Sequence, residues 1–173
     1  TVRAILRADP RVKVGGPALA GHQSPIGDAL IDFCGKGGAP LHFFSWHLYD
    51  DNPEKFRQTI RTVKAKLARY PALAQTETMI DEWNIGLVKP EPATGYQAAF
   101  VLETTRGFLE EGLSRSAYYH IRDYYVDEAD FAWMSPKGLK FMADWWNQKP
   151  QNSGLFDHQA RRRPAYFAFQ MLS

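Results

Sequence analysis

The chain has 173 residues, 45% hydrophobic and 23% charged, the composition of an ordinary globular protein long enough to bury a core. A formal charge of +2, with Arg161, Arg162 and Arg163 as the only basic run, excludes a nucleic-acid footprint. No stretch reaches the ~18 apolar residues of a membrane span, and the single cysteine, Cys34, excludes an internal disulfide and reads as a small buried hydrophobe.

The chain begins without a secretory-leader pattern. Its first predicted element is a buried strand over 11–17, an apolar run closed by Gly15-Gly16-Pro17. Ser24-Pro25 supplies an N-cap and a proline at the first helical position. Ala29, Leu30, Ile31 and Phe33 give that helix its apolar side, and the glycines at 35–38 end it. A second strand covers 41–49. Asn52-Pro53-Glu54 then opens another helix by the same rule, with Phe56, Ile60, Val63 and Leu67 at helical spacing and Pro71 beyond its end. The third strand runs over 77–83. A loop rich in Pro and Gly leads into a long helix over 96–111, ended by Gly112. A fourth strand covers 115–121. A short helix between Pro136 and Trp146 and a last helix from Pro164 to Met171 complete the chain.

Four strands alternating with helices predict a parallel sheet with helices outside it, in an α/β protein of one domain spanning 1–173. No strand leads into a glycine-rich phosphate loop, which argues against an open nucleotide-binding sheet. A (β/α)8 barrel takes about 250 residues, and four units are half of one. Two open sheet edges require a cover, either the other half of a barrel or a second copy of this chain.

In a barrel, chemistry gathers at the C-terminal ends of the strands. The third strand ends Ile80-Asp81-Glu82-Trp83-Asn84, and strict alternation puts Thr78, Ile80 and Glu82 on one face and Asp81 on the other. With Thr78 and Ile80 facing inward, Glu82 projects into the barrel mouth, while Asp81 makes a structural contact on the helix side. The second strand ends Ser45-Trp46-His47-Leu48-Tyr49, so Ser45, His47 and Tyr49 share a face and Trp46 packs under a helix. A phenol and an imidazole beside a carboxylate can orient it and keep it ionised. In the fourth strand, Tyr119, Ile121 and Asp123 lie on one face and Tyr118, His120 and Arg122 on the other, with the inward set left open. Tyr119 and Trp133 are candidate platforms for a sugar ring. His22 and Asn84 complete the candidate substrate-binding set. His22, His42, His47, His120 and His158 have no metal-ligand spacing, so neither a metal nor a cofactor is expected.

These residues resemble clan-A glycoside hydrolases, most closely family 39, which contains the β-xylosidases and α-L-iduronidases. The resemblance rests on Val14-Gly-Gly-Pro-Ala18, Ser45-Trp-His-Leu-Tyr49, Ile80-Asp-Glu-Trp-Asn84, Gly154-Leu-Phe-Asp157 and Arg163-Pro-Ala-Tyr-Phe167, in order along most of the chain. It implies the C-terminal half of a TIM barrel, strands five to eight, with Glu82 as the nucleophile of a retaining reaction through a covalent glycosyl-enzyme. It also implies an acid/base glutamate about 5–5.5 Å away, on a strand four that this chain does not contain. Strand eight departs from the family, with Tyr118-Tyr119 where a Trp is common. The resemblance thus implies a retaining, β-xylosidase-like hydrolase of a carbohydrate substrate. The alternative is a carbohydrate-binding or self-pairing half-barrel without catalysis.

Overall fold

A computed structural model of the chain describes residues 1–86, 94–147 and 152–173. The elements run α1 (Val2–Ala8), β1 (Gly15–Leu19), α2 (Pro25–Gly35), β2 (Phe43–Tyr49), α3 (Pro53–Leu67), a 3-10 turn (Pro71–Leu73), β3 (Glu77–Asn84), α4 (Gly95–Glu110), β4 (Arg115–Tyr118), α5 (Pro136–Asn147) and α6 (Pro164–Leu172). The strands form one four-stranded parallel sheet in the order β1-β2-β3-β4. Much of the expected Pro- and Gly-rich loop before α4 lies outside the described residues.

Residues Thr1–Trp83 with Thr104–Tyr118 make one compact unit, and Asn84–Glu103 with Tyr119–Ser173 make a second. In unit one, α3 shows how sequence becomes packing. The Asn52 side chain accepts the Glu54 N–H at 3.0 Å, Pro53 presets the first turn, and Lys64 and Lys66 sit in the last. The stripe Phe56, Ile60, Val63 and Leu67 is buried. Phe56 meets Trp83 and Phe108 edge-on at 5.9 Å each, and Trp83 meets Phe108 at 5.0 Å and Tyr118 at 5.1 Å. This cluster ties α3 and the end of α4 to β3 and β4. Beside it the buried Arg57 pairs with Glu110 at 3.0 Å. Gly107 makes room for Arg57, since a Cβ there would lie 2.3 Å from the guanidinium.

Several expected boundaries move, each for a local reason. The first strand sits at 15–19 instead of 11–17, because Arg11 folds back onto Asp9 in a turn. Val14 enters the sheet through His42, whose ring and N–H bond its backbone at 2.9 and 2.8 Å. The helix α1 was not expected. In α2, Ser24 occupies the N-cap position without a side-chain cap bond, and the buried stripe is Gly27, Ile31 and Cys34. Phe33 is exposed and lies over Gly38. Burial raises the Cys34 thiol above its ordinary value.

The fourth strand ends at Tyr118, three residues early. Beyond it the chain bonds elsewhere: the Leu155 N–H donates to the His120 carbonyl, and the Phe156 N–H to that of Ile121. The 120–123 segment therefore pairs with the 155–156 loop inside unit two.

Truncating Phe56 to Ala removes the ring that both Trp83 and Phe108 pack against. The expected loss is roughly 3–5 kcal/mol of stability, read from the urea midpoint at unchanged m-value.

Candidate active site

The end of β2 and the end of β3 meet in unit one. Phe44 and Trp46 are buried, and the residues between and beyond them, Ser45, His47 and Tyr49, form the other set. The buried Ser45 hydroxyl accepts the Ala18 N–H at 3.0 Å, which ties the turn of β1 to β2. Ala18 has a φ of 56°, and Gly16, at φ 142°, supplies the backbone freedom that turn requires.

Strict alternation fails on β3, which corrects the expected placement of Asp81. The β3–β4 register shifts between Ile80 and Trp83, as at a bulge. Ile80 and Trp83 are both buried, and the two residues between them are both partly open. Asp81 and Glu82 consequently both reach His47. Glu82 Oε2 lies 3.6 Å from His47 Nδ1, and Asp81 Oδ1 lies 3.6 Å from His47 Nε2. Tyr49 donates its hydroxyl to Glu82 Oε1. The Glu82 carboxylate is thus held on one oxygen by a phenol and faced on the other by an imidazole, with 29% of its side chain open to solvent. Such a carboxylate is oriented and still reachable from solvent.

The other candidates occupy different surroundings. His22 is half-buried, and burial and the Lys66 charge lower its imidazole below the ordinary value against a smaller opposing effect of Asp28. Asn84 is fully buried. Its amide nitrogen donates to the carbonyls of Tyr119 and, at 2.8 Å, Ser153, and its oxygen accepts the Ile85 N–H at 2.7 Å. Those bonds join three segments of unit two. Tyr119 is half-buried and stacks on His120 at 4.5 Å, and the peptide between them is cis. Trp133 is 78% exposed beside Phe131. On the open question of the fourth strand, Tyr118 takes the Trp83 side.

Unit two has its own carboxylate centres. Buried Asp123 accepts the N–H groups of Ser153 and Gly154 at 3.1 and 2.6 Å and pairs with Arg163. Asp157 accepts the N–H groups of Gln159 and Arg161 at 2.9 Å each and the Arg161 Nε–H at 2.6 Å. Among the described residues, no group of three or more His, Cys, Asp or Glu side chains has the geometry to hold a metal ion. No described helix is long and apolar enough to cross a membrane.

Solved structures share this fold. A glucosidase from Croceicoccus marinus superposes with a TM-score of 0.72 at 21% identity, over 99% of this chain and 33% of its own. An endo-β-1,3-glucanase from Amycolatopsis mediterranei superposes at 0.60 and 15% identity, over 99% of this chain and 62% of its own. The parallel strand-and-helix units are those of a partial (β/α)8 barrel. Residues 1–173 match glycosyl hydrolases family 39, and the chain belongs to that family. A β-xylosidase from Caldicellulosiruptor saccharolyticus is 26% identical over 98% of this chain and 34% of its own length. One from Geobacillus stearothermophilus is 26% identical over 58% and 24%. The chain spans about a third or less of the length of these relatives.

The Asp157 loop predicts an acid limb in stability. Burial opposes ionisation of this carboxyl, yet the N–H groups of Arg161 and Gln159 and the Arg161 side chain outweigh it and hold it below its ordinary value. Its contribution is therefore complete above the unfolded carboxyl value of about 4 and is lost as pH falls through the lower folded value. Urea midpoints measured from neutral to acid pH should fall less steeply in Asp157→Asn than in the unsubstituted chain.

Proposed function

We propose that residues 1–173 act as one part of the catalytic domain of a retaining glycoside hydrolase on β-xylosidic bonds, with Glu82 as its nucleophile. The observation that supports this reading best is the Tyr49 hydroxyl donated to Glu82 while His47 faces the other carboxylate oxygen. Glu82 attacks the anomeric carbon, the aglycone oxygen leaves with a proton, and a glycosyl ester forms on Glu82. Water then attacks the anomeric carbon, gives its proton to the group that protonated the aglycone, and returns the Glu82 carboxylate. The proton donor is a second carboxylic acid, expected on the N-terminal half of the barrel. His47 and Tyr49 orient the nucleophile and reach the sugar hydroxyls. His22, Tyr119 and Trp133 are proposed to contribute to substrate binding.

A 2-deoxy-2-fluoro-xyloside with a dinitrophenolate leaving group tests this directly, since so good a leaving group needs no proton. Intact mass should rise by one fluoroxylosyl group, mapping to the Glu82 peptide. Glu82→Gln should abolish labelling, and Tyr49→Phe should slow it about tenfold through loss of a hydrogen bond to a charged group. A label on another residue, or equal labelling of Glu82→Gln, would sink the assignment.

A second reading rests on the sheet order, which leaves β1 and β4 as its two edge strands. Two copies pairing along these edges would make an eight-stranded, sugar-binding barrel. Light scattering separates the cases: a dimer at micromolar concentration supports self-pairing, and a stable monomer excludes it.

A further inference from the structure

The shift in β3 does more than aim Glu82. It places two consecutive carboxylates on the two nitrogens of one imidazole: Asp81 Oδ1 at 3.6 Å from His47 Nε2 and Glu82 Oε2 at 3.6 Å from Nδ1. That Asp81 oxygen is buried and has no hydrogen-bond partner, so the His47 ring is the polar group that faces it. His47 is 27% exposed, so water can exchange its ring protons. Tyr49 also stands beside Glu82, and its proton is already committed to Oε1.

A neutral imidazole carries one N–H and one lone pair, and which nitrogen holds the proton depends on its partners. With a carboxylate at each nitrogen, the partner with the greater negative charge attracts the N–H. The two distances are equal, so in the resting protein Asp81 and Glu82 compete on even terms. We infer that Asp81 is a positioning residue that draws the His47 proton to Nε2 while Glu82 is uncharged, and shares it with Nδ1 once the Glu82 carboxylate returns.

The idea rests on Glu82 being the nucleophile, and the proton count follows from that role. When Glu82 attacks the anomeric carbon, its charge passes into a neutral ester and Nδ1 loses its anionic partner. Rings that carry the N–H on Nδ1 release it to water and take one from water at Nε2, beside Asp81, with no net change. When the glycosyl–oxygen bond breaks, negative charge returns to Glu82 and the reverse exchange restores the resting mixture. Asp81 thus keeps the ring ordered during the interval in which Glu82 cannot hold it.

The test reads the tautomer itself, through long-range proton–nitrogen correlations of the His47 ring in nitrogen-15-labelled chain at about pH 8, above the ordinary imidazole range. The unsubstituted chain should show both tautomers in comparable amounts. Glu82→Gln, which mimics the uncharged ester, should move the ratio about tenfold or more toward Nε2–H, and Asp81→Asn should move it as far toward Nδ1–H. The fluoroxylosyl adduct should match Glu82→Gln. Either variant suffices if the other fails to fold. An unchanged ratio in a folded variant, or a ring protonated on both nitrogens in the unsubstituted chain, overturns the inference. Failure of the nucleophile assignment looks different: the fluoroxyloside labels nothing at Glu82, whatever the ring spectra show.

Discussion

A β-strand offers its side chains alternately to two faces, and a strand in a half-covered sheet must spend one of those faces on the core. The end of β3 has to satisfy both demands within four residues. Ile80 and Trp83 are buried, and Asp81 and Glu82 between them are open to His47. A regular strand cannot do this, because residues three apart would face opposite ways. The register shift against β4 resolves the conflict by adding one residue to the count. Trp83 then reaches the ring cluster of Phe56, Phe108 and Tyr118, while its immediate neighbour stays at the surface.

The anchor and the proposed nucleophile are thus adjacent in the chain. Trp83 is held by three rings from three different elements, so the Glu82 backbone is tied directly to that ring cluster. β2 supplies the complementary surface by ordinary alternation. Phe44 and Trp46 are spent on the core, leaving Ser45, His47 and Tyr49 on the other side. Each of those three takes a partner: Ala18 on β1, the Asp81–Glu82 pair, and Glu82. A chemical site built on strand ends is better located than one built on loops, because the sheet ladder fixes each backbone against its neighbours.

Much of this was legible in the residues. The alternation of strands and helices, the Asn52-Pro53 cap, the Phe56–Ile60–Val63–Leu67 stripe and the burial of Trp46 follow from local rules that tertiary contacts did not overrule. The convergence of His47, Tyr49 and Glu82 also follows, because each ends an adjacent strand. What could not be read were features set by distant partners. β4 stops at Tyr118 because the 155–156 loop takes over the bonds of the next residues, and nothing within 115–121 announces that. Asp81 joins His47 because of a register shift that carries no glycine or proline to mark it. Asn84 is polar and stands beside Glu82, yet its amide is claimed by the carbonyls of Tyr119 and Ser153, both far along the chain.

The extra residue in β3 also sets how many side chains the strand end can offer. A strand tolerates substitution at most positions as long as its phase is kept, but its count of residues fixes that phase. Removing one residue between Ile80 and Trp83 would restore plain alternation, with both buried side chains still on one face and a single carboxylate left on the other. The pair of carboxylates facing His47 is therefore a product of length, a matter of counting rather than of chemistry.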